Sequence, residues 1–316
     1  METKAKSAPM KEILNRIIQF GEFKLEFFED HVLQHAPVES WPVCDCIIAF
    51  DSKGYPLQKV IEYYELRKPL SINDLKYQQA LHDRRAVYNI LDQHKIPHPR
   101  ALIVSRDGFQ GIPTPNIYEE DDYIMIDEVR LDKPFVEKPA NADDHNVWIY
   151  FPRSQGGGCR QLFRKTEDRS SQFLPDQNRI RSNGSFVYEE FVSTQDRQDV
   201  KVYAVGMDFI HAESRKAPVV DGIVQRTPNS KEVRHVTTLT EAEHMLARKI
   251  VEAFKQTVCG LDMLRTEGGT TYVCDVNGWS FVKGSDAYYN NCSRILREMM
   301  LSWFLDKLSK EPPSTT

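Results

Sequence analysis

Apolar positions recur at two different spacings in the first third of the chain. Residues 9–20 place them at the three- and four-residue spacing of an amphipathic helix. Residues 23–27 alternate apolar and polar positions, which predicts a strand, and the apolar run at 43–50 is typical of a buried strand. A second helix is predicted over 73–95, because an Asn-Asp pair that can cap it begins this stretch and prolines follow it. This part of the chain is therefore predicted to form a small α/β unit.

Beyond residue 100 the pattern favours strands. Residues 107–122 are rich in Gly, Pro, Asp and Glu, and we expect an exposed loop. A glycine run, Gly156–Gly158, is predicted as the tip of a hairpin, and Thr240 with Glu243 forms a capping box before a helix. A final helix is predicted over 285–308. The predicted strands are 123–129, 135–139, 147–151, 159–165, 185–192, 199–206 and 209–216, followed by a hairpin within 259–277.

Composition narrows the class of protein. The chain has 316 residues, of which 41% are hydrophobic and 28% charged, as in ordinary globular proteins rather than disordered or collagen-like ones. It contains no apolar run of about 18 residues, so no membrane span is expected. The first residues lack the apolar segment of a signal peptide, so we expect a cytosolic protein with reduced cysteines. Cys44 and Cys46 have no second cysteine pair to complete a zinc site and are interpreted as packing residues. The chain has 41 basic and 46 acidic side chains, and the resulting net charge of −5 does not favour binding to nucleic acid.

Two carboxylates in the last hairpin are candidate metal ligands. The pair Gly268-Gly269 predicts a two-residue type I′ turn, which would place Asp262 directly opposite Asp275, with Asn277 on the same face. Opposed carboxylates repel each other unless a cation lies between them, and ligands that are all oxygen atoms favour Mg²⁺. The alternative is a solvated hairpin whose acidic side chains face water.

Basic side chains are scattered over several predicted strands. Lys138 and Lys201 lie within strands, and Arg164-Lys165 and Arg215-Lys216 lie at strand ends. Strand alternation predicts that at most one residue of each adjacent pair points inward unless the strand has ended. These charges are either solvated surface or one pocket for a polyanionic ligand, to which the glycine tip would offer backbone N–H groups.

A second candidate feature is the segment Glu189–Val192, which lies between two strand-rich regions. It could serve as a hinge that binds adenine through one backbone donor and one backbone acceptor. The alternative is an ordinary strand end.

Several motifs resemble one family over about residues 1–300. They are Asp83-Arg84-Arg85, FVEKP, DDHNVWIYFP, LFRK, YEEF, DVKVYAVG, HAESRK, FKQTVCGLDMLR and YVCDVNGWSFVK. Together they resemble the kinase domain of the diphosphoinositol pentakisphosphate kinases, which are ATP-grasp enzymes. The resemblance implies an α+β fold with two lobes that clamp ATP, preceded by a small α/β domain. It assigns 1–85 to that domain, 86–190 to the first lobe, 191–310 to the second lobe and 311–316 to a tail. It also implies that a histidine acid phosphatase domain follows in the full-length protein.

The resemblance also implies roles for individual residues. Lys201, Arg215, Asp262 and Asp275 would be catalytic, and Asp262, Asp275 and Asn277 would hold Mg²⁺. ATP would contact Arg84, Lys138, His145, Arg164, Glu189, Glu190, Phe191, Val192, Asp199, Val200, Lys201, Asp262, Asp275, Val276 and Asn277. The inositol polyphosphate would contact Lys4, Arg164, Lys165, Lys201, Arg215, Arg226, Ser280, Phe281, Val282 and Lys283. The sequence departs from the family's usual surface capture site for substrate, because Thr3 leaves Lys4 without an adjacent lysine.

The implied activity is transfer of the γ-phosphate of ATP to a phosphate of inositol hexakisphosphate or of its 5-diphosphate derivative, at position 1, by a monomeric enzyme. An ionised phosphate oxygen is the nucleophile in such a reaction, so no general base is required. The alternatives are a carboxylate–amine ligase of the same fold and a polyphosphate sensor without catalytic activity.

Overall fold

The structure is a computed structural model that describes residues 2–52, 54–228 and 232–310. The predicted tail at 311–316 lies outside these residues. The helices are α1 (Glu2–Ala5), α2 (Ala8–Ile18), α3 (Asp30–His35), α4 (Leu57–Arg67), α5 (Leu75–Ala80), α6 (Arg84–Gln93), α7 (Glu241–Phe254) and α8 (Asp286–Lys310). The strands of the first half are β1 (Cys46–Ile47), β2 (Leu70–Ser71), β3 (Ala101–Val104), β4 (Ile117–Glu119), β5 (Tyr123–Ile126), β6 (Val129–Asp132), β7 (Phe135–Pro139) and β8 (Val147–Tyr150). Those of the second half are β9 (Cys159–Thr166), β10 (Arg169–Leu174), β11 (Phe186–Glu190), β12 (Gln198–Val205), β13 (Phe209–Lys216), β14 (His235–Val236), β15 (Val258–Arg265) and β16 (Thr271–Asn277).

The N-terminal part differs from the sequence prediction in three places. The helix predicted at 9–20 is confirmed as α2, but residues 23–27 form no strand, so that prediction was wrong. The run at 43–50 contributes only the two residues of β1, which pair in parallel with β2. The helix predicted over 73–95 is divided into α5 and α6, because Asp74 and Asp83 each cap a separate helix.

The five-stranded sheet has the order β14-β13-β12-β15-β16, with antiparallel neighbours. Strand alternation gives its two faces different chemistry. On β12, Val200, Val202 and Ala204 belong to a core shared with α6 and α7. The opposite face carries Tyr203 and Val205, which pack in a core shared with α2 and α8. The remaining residues of that face, Asp199 and Lys201, are polar and extend beyond this second core.

The six-stranded sheet has the order β10-β9-β8-β7-β11-β3. One face packs against a small sheet of β4, β5 and β6 through buried residues that include Phe135 and Tyr188. The prediction of a loop over 107–122 is therefore wrong in part, because β4 lies within this range and belongs to the small sheet. The other face carries Lys138, whose amine reaches the carbonyl of Cys274 on β16, so the two large sheets meet at this point.

Among the described residues, no helix combines the length and the apolar character that crossing a bilayer requires.

Candidate active site

The two acidic residues of the last hairpin face each other as predicted, although the turn differs. Asp262 pairs with Asp275, and Gly260 pairs with Asn277. The prediction of a two-residue turn is wrong, because Thr266 forms hydrogen bonds with Thr270 across a three-residue loop. As a result, the pairing of the strands next to this loop is shifted by one residue from the predicted register. A β-bulge between Val273 and Asp275 restores the predicted pairing. Turn and bulge thus compensate, and both carboxylates lie on one face.

A lysine and an arginine accompany these acids. Lys201 Nζ donates to Asp262 Oδ1 at 3.0 Å, and Arg215 Nη2 lies 3.8 Å from Asp199 Oδ2. Burial of Asp262 favours its neutral form, but the charges of Lys201 and Arg215 outweigh this effect and lower its pKa. Asp199 behaves differently, because burial raises its pKa to about 6 despite the nearby cations. The site therefore combines a carboxylate held in its ionised form with one that titrates near neutral pH.

The oxygen atoms of Asp262, Asp275 and Asn277 fit a hard divalent cation. Asn277 Nδ2 donates to Asp275 Oδ2 at 2.7 Å, which orients that carboxylate. In the described parts of the chain, no group of three or more His, Cys, Asp and Glu side chains could hold a metal ion. The candidate set is therefore two carboxylates and one amide, which is suited to Mg²⁺ because this ion usually keeps water or phosphate oxygens as further ligands.

Lys138 lies at the junction of the two large sheets. Its Nζ donates to Glu189 Oε1 at 2.7 Å and to the carbonyl of Cys274 at 2.9 Å. Tyr88 Oη donates to the second oxygen of Glu189. Burial lowers the pKa of Lys138, but the charge of Glu189 more than offsets this effect, so the net shift is upward. The lysine that the resemblance assigns to ATP is therefore paired inside the protein, next to the metal-binding candidate Asp275.

In the segment predicted as the adenine hinge, most polar groups have partners within the protein, but one backbone N–H does not. The side chain of Glu189 points to Lys138, and Glu190 forms an exposed ion pair with Arg100 at 2.8 Å. The N–H of Phe191 donates to the carbonyl of Pro134 at 3.3 Å. The N–H of Val192 has no hydrogen-bond acceptor within the described residues, so it is the available donor for an adenine ring.

A cavity of about 610 Å³ has Asp275 and Asn277 in its wall, whereas Asp262 does not line it. Arg164, Lys165, Arg215 and Lys216 all line it. Both adjacent pairs lie at or next to the ends of their strands, which is the case that the alternation prediction left open, and all four side chains line the cavity. The guanidinium of Arg164 has no hydrogen bond or ion pair within the described residues, so it is available to a ligand.

Lys4, Arg84 and His145 also line this cavity, but their polar groups already have hydrogen-bond partners within the protein. Lys4 Nζ donates to the carbonyl of Asp51 at 2.8 Å, and His145 Nδ1 lies 2.8 Å from the carbonyl of Asp143. The guanidinium of Arg84 donates to carbonyls of the segment 139–144, which reduces the number of donors it can offer to a phosphate.

The glycine tip does not offer free donors. The N–H groups of Gly156 and Gly157 donate to carbonyls of residues 153 and 152, and that of Gly158 donates to Asn178 Oδ1 at 2.7 Å. The prediction that these groups approach phosphates is therefore wrong for this structure.

The remaining predicted ligands lie in different surroundings. The side chains of Val200, Val276 and Val282 are buried in the core, so only their backbone atoms could contact a ligand. The carbonyl of Ser280, which lines the cavity, accepts a hydrogen bond from Tyr288. Several predicted ligands are not part of the cavity wall. Phe281 packs against Phe50, Lys283 is exposed, and Arg226 pairs with Asp168. The other predicted ligands outside the wall are Lys138, the segment 189–192, Asp199, Val200, Lys201, Asp262 and Val282.

Two features of the cavity were missed in the sequence. Glu232 lies among Lys165, Arg215 and Arg234 and accepts hydrogen bonds from two of them. His82 contacts the carboxylate of Asp51, an interaction that raises the pKa of His82. Asp51 and His82 are far apart along the chain, so the sequence gives no signal for their contact. Arg234 is close to Glu232 in sequence, but Lys165 and Arg215 are distant and belong to other elements, so the cluster as a whole has no sequence signal.

The chain is similar to known proteins in both sequence and fold. A family model described as "Diphosphoinositol pentakisphosphate kinase 2 N-terminal domain" matches residues 1–83, and one described as "RimK-like ATP-grasp domain" matches residues 82–297. The chain is 51% identical to "Inositol hexakisphosphate and diphosphoinositol-pentakisphosphate kinase VIP1" of Arabidopsis thaliana, an alignment that covers 100% of this chain and 30% of that protein. It is 50% identical to "Inositol hexakisphosphate and diphosphoinositol-pentakisphosphate kinase 2" of Homo sapiens, over 95% of this chain and 24% of that protein. The chain thus spans less than a third of the length of these relatives.

Solved structures with a similar fold have much lower sequence identity. The ATP-grasp ligase PsnB, solved with a minimal precursor, has a TM-score of 0.55 at 11% identity, over 95% of this chain and 96% of that one. D-alanine–D-alanine ligase from Bacillus anthracis has a TM-score of 0.54 at 14% identity, over 95% of this chain and 96% of that one. These likenesses confirm the predicted ATP-grasp fold.

Proposed function

The chain belongs to the family of inositol hexakisphosphate and diphosphoinositol-pentakisphosphate kinases, and from this premise we propose that it transfers the γ-phosphate of ATP to a phosphate of a highly phosphorylated inositol. The product would be a diphosphate, and the resemblance implies position 1 of the ring. The observation that carries this proposal is a cavity lined by cations whose wall includes Asp275, the residue that pairs with Asp262 across the hairpin. Such an arrangement serves phosphoryl transfer, in which positioning and charge stabilisation supply most of the catalysis.

The cations determine which acceptor fits. Arg164, Lys165 and Arg215 line one cavity, and Arg215 Nε is buried without a hydrogen-bond partner in the described residues. An unpaired buried donor costs about 1–3 kcal/mol, which a phosphate oxygen would recover. A ligand with several phosphates satisfies these groups together, whereas the small acids and amines used by a ligase do not.

The residues beside the carboxylates have separate tasks. Lys201 is paired with Asp262, and its positive charge would neutralise the transferred phosphoryl group. Arg215 would stabilise the acceptor phosphate. Asp262, Asp275 and Asn277 would hold Mg²⁺, which when bound screens the negative charge of the nucleotide phosphates. The N–H of Val192 would donate to adenine, and Lys138 would keep the two lobes in register.

The test is ADP release from the purified protein with ATP and Mg²⁺ and a panel of acceptors. Inositol hexakisphosphate and its 5-diphosphate derivative are expected to stimulate ADP release, and inositol trisphosphates are expected to be poor acceptors. Stimulation by pairs of carboxylic acids and amines, with no response to inositol polyphosphates, would instead establish a ligase. Binding of the hexakisphosphate without any ADP release would establish a sensor.

We also propose that the protein lies in the cytosol, is a monomer and has a histidine acid phosphatase domain in its full-length form. Fractionation of cells, light scattering of the purified chain and the sequence of the complete protein test these proposals in turn.

A further inference from the structure

One carboxylate in the cavity has no task in the proposed reaction. Glu232 Oε1 contacts Lys165 Nζ and lies 3.8 Å from Arg215 Nη1. Its other oxygen, Oε2, accepts from Arg234 Nε at 3.0 Å and from Arg234 Nη2 at 2.9 Å. Its side chain is only 16% exposed. A single carboxylate thus lies at the centre of three cations.

The hydrogen bonds at this corner are incomplete. Two of the three cations have a further carboxylate nearby, since Asp199 lies 3.8 Å from Arg215 and Glu213 lies 3.3 Å from Arg234. The contact of Glu232 with Arg215 is nevertheless too long for a hydrogen bond. Arg215 Nε remains buried without a partner in the described residues. A phosphate group carries more charge than a carboxylate and has three acceptor oxygens, so it would satisfy this corner better than Glu232 does.

We propose that Glu232 is an internal counter-anion which occupies a phosphate subsite among Lys165, Arg215 and Arg234 and which the acceptor's phosphate displaces. This inference rests on the proposed function and assigns Glu232 the role of setting specificity. A ligand must carry enough charge to replace the carboxylate before it gains the attraction of these cations. Sparsely phosphorylated ligands leave Glu232 in place and gain little, so the residue raises the charge that an acceptor needs.

The opposite role is structural. Glu232 could hold the three cations in position for the ligand, and its removal would then weaken binding. The two roles therefore predict opposite signs for the change in affinity when the charge is removed and the shape is kept.

The test is calorimetric binding of inositol hexakisphosphate to the whole chain without nucleotide. Glu232→Gln is expected to bind at least threefold more tightly than the parent protein. Glu232→Asp keeps the charge but shortens the side chain, so its affinity is expected to lie between the two. The matched control is Glu213→Gln, since Glu213 contacts Arg234 from the other side at 3.3 Å and does not line the cavity. This control is expected to change the affinity less than twofold.

The outcomes separate the inference from the function on which it rests. If the parent protein binds the hexakisphosphate and Glu232→Gln binds it equally or more weakly, the counter-anion role is wrong and the kinase proposal stands. If the parent protein does not bind the hexakisphosphate, both fall. If Glu213→Gln tightens binding as much as Glu232→Gln does, a general loss of negative charge explains the effect and the subsite is refuted. The melting temperature of each variant verifies that it is folded, and Glu232→Asp decides the question should Glu232→Gln not fold.

Discussion

Replacing Lys138 by methionine should destabilise the protein strongly, because the lysine is half of a buried ion pair. The side chains of Lys138 and Glu189 are 11% and 3% exposed. Methionine fills a similar volume but leaves the carboxylate with Tyr88 as its remaining partner among the described residues, and the carbonyl of Cys274 loses its side-chain donor. Breaking a buried pair from one side costs about 3–5 kcal/mol.

Thermal unfolding measures this cost. An unfolding entropy of about 2.1 cal/mol/K per residue means that, for 316 residues, each kcal/mol lowers the melting temperature by about 1.5 °C, so Lys138→Met should melt about 5–8 °C below the parent protein. The double variant Lys138→Met/Glu189→Gln should recover much of the loss, because the uncompensated charge is gone. The matched control is Arg100→Met, which breaks the exposed pair with Glu190 next to Glu189 and should cost less than about 1 kcal/mol. Equal melting temperatures for Lys138→Met and Arg100→Met would refute the reasoning.

Three further predictions concern the hairpin and its surroundings. Gly260→Ala should reduce kcat at least tenfold in the ADP-release assay, because the added Cβ would lie 2.5 Å from Ser280 Oγ and displace the segment beside the carboxylates; unchanged kcat would contradict this. Although burial favours the neutral form of Glu243, the hydrogen bonds from Arg265 lower its pKa to about 2, so its stabilisation is present above pH 4.5 and lost as the pH falls from 4.5 to 2. The melting temperature of Glu243→Gln should no longer show this part of the pH dependence, and a pH dependence equal to that of the parent protein would contradict the prediction for Glu243. Asp275→Ala should abolish ATP turnover and leave the melting temperature without Mg²⁺ unchanged or slightly higher, whereas substantial remaining turnover would exclude it as a metal ligand.

Local patterns in the sequence predicted most of the strands that build the site. Alternation along β12 separates Val200 and Val202 from Asp199 and Lys201, so the strand and its polar face were both predictable. The capping box at Thr240 and Glu243 was equally visible, and the structure confirms it. These features depend on neighbouring residues of the chain, which is why the sequence alone reveals them.

Features that depend on distant contacts were not predictable. The bulge opposite Asp262 has no sequence signal, and the correct pairing of the two carboxylates was reached through an incorrect turn. The ion pair of Lys138 with Glu189 depends on the placement of β7 beside β11, and the position of Glu232 depends on three separate strands or loops. Residues 23–27 show the opposite error, because their alternating pattern predicted a strand, but among the described residues no neighbouring strand pairs with them.

The central claim, transfer to a phosphate rather than to a hydroxyl, is tested most directly by ³¹P NMR of the product made from ATP and inositol hexakisphosphate. The hexakisphosphate has no free hydroxyl, so transfer to the ring must create a diphosphate. We expect a new β-phosphate resonance coupled to one ring phosphate, formed by the parent protein and absent with Asp275→Ala. Release of inorganic phosphate without a new diphosphate, or a new monoester when an inositol with free hydroxyls is supplied in its place, would contradict the account.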